Sequence, residues 1–255
     1  MQFVAGTKPP PGGAGAAAGE GQRCRLSMLF ADLSGSTALS GEMEAEDYAE
    51  LLGALRQVYS SAVAAHGGTL VRIQGDGMLA IFGWPQPREG DSRRAVACAV
   101  QLHQEVAALR GFGPQGRHTE LRLHSGIHAG VVLVQRGDAI VGSLELVGMA
   151  PNIAGRLSDA AGRDEILVSE DCLGPDLHHF EAGPQRAVAI DSGGTLVPAR
   201  CVLGLGQVIS SFEARTRRTR QPFIGRRAEL HELDHALGQV LAGATLRVAI
   251  AAPPG

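Results

Sequence analysis

Residues 69–84, TLVRIQGDGMLAIFGW, decide the fold: two apolar runs meet at Gly75-Asp76-Gly77, and Asp-Gly between such runs is a strong hairpin signal. On the N-terminal side, Tyr48, Leu51, Leu52, Leu55, Val58, Tyr59 and Ala62 recur at spacings of three and four. That spacing predicts an amphipathic helix over about residues 45–66, stopped by Gly67-Gly68. Before it, LSMLF (26–30) reads as a short buried strand running into a Gly/Ser turn. After the hairpin, Ala95, Val96, Ala99, Val100, Leu102, Val106 and Leu109 predict a second helix over about 90–109. LRLHSGIHAGVVLV (121–134) then reads as a strand, with a break expected near Gly130. A helix over about 151–160 and the strand EILVS complete the series. The resulting β-α-β-β-α-β order predicts an α+β fold with a ferredoxin-like core and C-terminal α/β additions.

Composition narrows the function classes. A formal net charge of -3 provides no basic field for nucleic acid, and no apolar run is long enough to cross a bilayer. Residues 1–22 are Gly/Ala/Pro-rich with no signal-peptide core, so they read as a disordered tail on a cytoplasmic protein. Cys24, Cys98, Cys172 and Cys201 form no C-x-x-C pair and read as reduced structural thiols. Every Lys or Arg after Lys8 is an arginine.

Asp32, in FADLSGST, sits at the end of the first strand, and Asp76 at the tip of the hairpin expected beside it. Paired carboxylates on neighbouring strand ends are hard-oxygen ligands of the kind Mg²⁺ takes when it also holds phosphate oxygens. Taken singly, an Asp at a turn is more often a turn former. His124 and His128 share a strand face but lack a third ligand, so they read as packing or surface residues rather than a metal site.

Five blocks occur in order: FADLSGST, HGGTLVRIQGDGMLAIFGWPQ, LRLHSGIHAGVV, VGMAPNIAGRL and EILVSED. With them, residues 23–204 resemble the catalytic domain of class III adenylate/guanylate cyclases. The resemblance implies that Asp32 and Asp76, with the Leu33 carbonyl, hold two Mg²⁺ or Mn²⁺ ions per site. It implies that Asn152 orients the ribose and Arg156 steadies the transition state as a nucleoside triphosphate closes to a 3′,5′-cyclic monophosphate. It further implies a homodimer in which the aspartates and the Asn/Arg pair come from opposite subunits. Asn152 and Arg156 are four residues apart, so on a helix they share a face.

Three positions depart from the family's pattern. Arg72 stands where adenylate cyclases carry a base-reading lysine, and guanylate cyclases a Glu. Glu145 stands where an Asp or Thr completes base recognition. The cation at position 72 favours ATP, while a bidentate Arg also suits guanine, a pyrimidine triphosphate remains open, and Arg72 and Glu145 could instead pair with each other across the dimer interface. Asp191 falls where a phosphate-binding lysine is usual, with Arg186 or Arg200 as possible substitutes. These departures motivate an alternative reading: a catalytically weak, nucleotide-binding regulatory module.

Residues 205–221, with four arginines from Arg215 to Arg220, read as a linker. QPFIGRRAELHELDHAL then resembles the opening of signal-transduction ATPase domains, and LRVAIAAPPG the strand leading into a phosphate loop. Residues 222–255 are therefore expected to be the truncated start of a fused P-loop ATPase domain, a regulator of the cyclase.

Overall fold

In the computed structural model, residues 21–113, 119–137, 144–191, 193–206 and 227–248 are described. The expectation of a disordered tail falls almost wholly outside them, as do nearly all of the linker and the FIGR and AAPPG segments. The chain divides into two compact units, Met1–Ile209 and Ser210–Gly255.

In the first unit the elements run β1 (Gln22–Leu33), α1 (Ser36–Glu42), α2 (Ala45–Ala65), β2 (Thr69–Gln74), β3 (Gly77–Phe82), α3 (Asp91–Ala108) and β4 (Leu123–Arg136). There follow β5 (Leu144–Val147), α4 (Met149–Ala160), β6 (Ile166–Ser169), α5 (Glu170–Leu173), a 3-10 turn (Gly174–His179), β7 (Phe180–Ala182), β8 (Arg186–Ala189) and β9 (Leu196–Leu205). The mixed sheet is ordered β2-β3-β1-β4-β6-β9-β7, with β5 on β4 and β8 on β9. The expected α+β core is present. β4 runs unbroken through Gly130, and the Gly/Ser turn after β1 contains a short helix, α1.

Alternation along β1 sorts its side chains between two cores. Leu29, Ala31 and Leu33 pack with α2 and α3, whereas Leu26, Met28 and partly buried Phe30 pack on the other side with Ala150 and Ala154 of α4. Asp32 continues the second series and so faces the α4 side. Burial on both faces explains why β1 reads as a continuous apolar run rather than an alternating one.

Helix α4 lies directly on β4. A Cβ at Gly126 would stand 2.1 Å from the Ser158 amide nitrogen and 2.3 Å from the Ala154 carbonyl oxygen. Only a residue without a side chain lets the helix backbone come this close. Ala150, Ala154, Leu157 and Ser158 form the buried stripe of α4, leaving Asn152, Arg156 and Asp159 exposed.

The hairpin loop is Gly75-Asp76, with Gln74 opposite Gly77, so Gly77 belongs to β3 rather than to the turn. Gly75 has φ 62 and occupies the first central position, where positive φ is wanted. The register shifts between Leu70 and Arg72. Val71 packs in the α4-side core, and Arg72 lines the cleft on that same side, as a bulge permits.

All four cysteines are free. Among the described residues no helix is long and apolar enough to cross a membrane. In the second unit, residues Arg227–Leu241 form a helix, α6.

Candidate active site

Asp32 and Asp76 come together where β1 ends and the β2–β3 hairpin turns. Burial first, then the adjoining Asp76 carboxylate, pushes the Asp32 carboxyl up to about 7, against the lowering effect of the Leu33 amide. That amide donates to Asp32 Oδ1 at 3.0 Å. Leu33 itself ends β1 with its side chain in the α2/α3-side core. Asp76 is held by its backbone: the hydroxyl of fully buried Tyr59 donates to the Asp76 carbonyl at 2.8 Å. Burial and the two carboxylates keep that phenol well above its ordinary pKa, so it stays a donor.

This pair fits a divalent cation. Asp76 Oδ2 is buried and has no hydrogen-bond partner, a costly state for a carboxylate oxygen unless a positive charge meets it. A Cβ at Gly77 would lie 3.2 Å from Asp32 Oδ1, so the glycine keeps that carboxylate's surroundings open. Among the described residues no three His, Cys, Asp or Glu side chains gather as a metal cage. A cation here would therefore take its remaining oxygens from backbone, water or a ligand's phosphates, as Mg²⁺ commonly does.

From the carboxylates a cleft extends across the α4 side of the sheet in three connected compartments. The first, ≈ 340 Å³, is lined by Asp32, Arg72, Gly77, His124 and Asp159 among others. The second, ≈ 500 Å³, brings together Arg72, Asn152, Arg156 and Asp191. The third, ≈ 230 Å³, joins Arg72, Glu145 and Asn152. Phe30 and Arg72 line all three. One protomer thus carries both groups of expected site residues side by side.

Arg72 is exposed with no hydrogen-bond or ion-pair partner among the described residues, and Glu145 Oε2 accepts from Gln135 Nε2 at 2.8 Å; a pairing of Arg72 with Glu145 across a dimer interface would involve a second copy. Arg156 Nη1 lies 3.4 Å from Asp159 Oδ2, one turn along its own helix, with both groups largely exposed. Asp191 reaches the cleft, but its Oδ1 accepts the Thr195 amide at 2.8 Å, and these bonds from Thr195 hold its carboxyl below the usual range. Neither proposed substitute for the missing lysine lines the cleft. Arg186 bonds Glu165 at 2.8 Å, while Arg200 bonds Glu170 at 2.5 Å and the Gly183 carbonyl at 3.2 Å. His124 donates from Nδ1 to the Ser158 carbonyl at 2.9 Å, and His128 Nδ1 lies 2.8 Å from Ser169 Oγ. Both are packed into the α4 side of β4, as expected of histidines without a third ligand.

Three participants escaped sequence reasoning. Tyr59 was hidden in the apolar stripe of α2, although a buried tyrosine hydroxyl demands a partner. Phe30 was traceable, because it lies two residues before Asp32 and so shares its strand face. Gln135 carried no signal, since its partner is set by the β4–β5 register.

The family model for the adenylate and guanylate cyclase catalytic domain matches residues 21–185. The chain belongs to this family. An adenylate cyclase of Streptomyces coelicolor is 33% identical over 146 residues, covering 56% of this chain and 32% of that protein. A uridylate cyclase of Rhodovulum sp. is 28% identical over 142 residues, covering 51% of this chain and 56% of that protein. The crystal structure of the guanylyl cyclase Cya2 superposes with TM-score 0.65 at 26% identity, covering 75% of this chain and 98% of that one. These three differ in the base they are named for, so membership alone does not fix the base. The chain spans only 15% to 32% of the length of four curated relatives it matches.

Proposed function

We propose that the Met1–Ile209 unit is a metal-dependent nucleotidyl cyclase that converts ATP, in preference to other triphosphates, to the 3′,5′-cyclic monophosphate and pyrophosphate. The observation that carries this reading is the buried, partnerless Asp76 oxygen beside Asp32, at the head of a cleft that also holds Asn152 and Arg156. Asp32 and Asp76, with the Leu33 carbonyl, would hold Mg²⁺ or Mn²⁺. Such ions, when bound, favour ionisation of the ribose 3′-hydroxyl and neutralise the leaving pyrophosphate.

The chain's own residues position and stabilise. Asn152 orients the ribose so that its 3′-oxygen attacks the α-phosphorus in line with the departing pyrophosphate oxygen. Arg156, drawn away from Asp159 by the greater charge of the substrate, donates to the α-phosphate as negative charge accumulates there. Arg72 supplies N–H donors and Glu145 an acceptor to the base edge, the same signs of charge as the Lys and Asp of adenylate cyclases. Asp191, anchored to its turn, contributes no cation to the triphosphate, so this enzyme would be slow for its family.

The active form is a homodimer in which one subunit's aspartates face the partner's Asn152 and Arg156. Exposed Met149 lines the cleft, and exposed Val131 and Val147 add apolar area that a second copy would cover. Helix α6 would open a fused ATPase domain that regulates the cyclase.

Mixing two inactive variants, Asp32→Ala and Arg156→Ala, tests this assembly. Random exchange gives mixed dimers in half the population, each with one intact site of two, so activity should return to about a quarter of wild type. No recovery, with exchange verified, contradicts sites shared between subunits. Triphosphate binding without turnover in the wild type would favour the regulatory-module reading.

A further inference from the structure

We propose that Gln135 is a positioning residue for base selection, acting through Glu145; this rests on the reading that Glu145 faces the base. Gln135 and Glu145 stand opposite each other in the β4–β5 register. The Gln135 amide nitrogen donates to Glu145 Oε2 at 2.8 Å, and both side chains are half-buried. Glu145 lines the ≈ 230 Å³ compartment with Arg72 and Asn152, while Gln135 stands behind it and does not.

The chemistry follows from what each group can do. A glutamate is longer by one methylene than an aspartate, and an untethered one sweeps several rotamers. The amide bond commits Oε2 and leaves Oε1 with no partner among the described residues. A carboxylate oxygen accepts and never donates, so the remaining oxygen selects a base edge that presents an N–H. With Arg72 donating beside it, the pair reads one acceptor and one donor on the same edge. Fixing Glu145 beforehand is what converts two flexible charged side chains into a discriminating surface, because a mismatched base must then leave Glu145 or Arg72 covered by the bound base without a partner. A bond that merely ties the β4–β5 hairpin together would instead stabilise the fold without affecting the choice of base.

Calorimetric titration of the full 255-residue chain with ATP, GTP, CTP and UTP tests this without depending on turnover. Gln135→Leu should narrow the affinity ratio between the preferred and the poorest triphosphate by about 3- to 10-fold. Gln135→Lys, which returns an N–H donor, should hold that ratio within about 2-fold of wild type. An unchanged ratio in Gln135→Leu, in a chain where Glu145→Gln does shift it, overturns the role of Gln135 alone. If Glu145→Gln also leaves the ratio unchanged, the assignment of Glu145 to the base falls, and this inference with it.

Discussion

Asp32 and Asp76 are fixed by backbone bonds and buried neighbours, whereas Arg72 and Glu145 stand on a strand bulge and an outlying strand, exposed or half-buried. Tyr59 clamps the Asp76 backbone from the core, and the Leu33 amide holds Asp32. Glu145 is held by one side-chain bond, and Arg72 by none among the described residues. The contrast has a physical reason. Groups that must meet a cation within a few tenths of an ångström need rigid supports, while groups that choose a base can change with little cost to the fold.

Breaking the rigid end should have the largest effect. Asp76→Ala removes one of the two carboxylates proposed to hold the metal and should lower kcat by about three orders of magnitude, measured with Mn²⁺ or Mg²⁺ and saturating triphosphate. Asp76→Ala with near-normal turnover would place the chemistry elsewhere. Tyr59→Phe sharpens the comparison, because it removes only the hydroxyl that supports the Asp76 turn. It should cost about 1 kcal/mol of stability by denaturant melts and raise the metal concentration needed for half-maximal activity.

The pH dependence of the metal-free domain reports on the same pair. Asp32 has a folded pKa raised from 3.8 to about 7, so the folded state binds its proton more tightly than the unfolded state does. The stability this provides is full below pH 3.8 and is lost as pH rises through about 7. In chelator, Tm should therefore be higher for Asp32→Asn than for wild type at pH 8, with the difference shrinking as pH falls through that window. Adding Mn²⁺ should raise the wild-type Tm and leave the variant nearly unmoved. At the soft end the smallest effect is expected: Arg72→Lys should alter the preference among triphosphates by severalfold and leave Tm and the metal requirement as they were. Unchanged preference would remove Arg72 from base recognition.

The core was legible because its signals are local. The three-and-four spacing in α2 and α3 and the apolar runs of β1 and β3 each arise from burial of one face or of both. The helix α1 escaped because Ser36–Glu42 is short and its only buried side chain is Leu39, too little for a periodic signal. The turn was shifted by one residue, since Gly75 and Gly77 both flank Asp76 and only φ distinguishes them. Among site residues, Asp32, Asp76, Asn152 and Arg156 could be placed from motif spacing. What could not be read were partners set by tertiary packing: Arg200 tied to Glu170, Asp191 to Thr195, and Glu145 to Gln135. Arg200–Glu170 and Glu145–Gln135 join residues on separate elements, whose pairing no local pattern encodes, whereas Asp191–Thr195 closes the turn between β8 and β9.

The most direct test of the central claim is an endpoint incubation of the purified chain with Mn²⁺ or Mg²⁺ and each of ATP, GTP, CTP and UTP, read by mass spectrometry. The expected result is one dominant 3′,5′-cyclic monophosphate, from ATP, with pyrophosphate in equal amount and only a small fraction of either from Asp76→Ala in the same incubation. No cyclic product from any triphosphate, at protein concentrations where the dimer is verified, would contradict it.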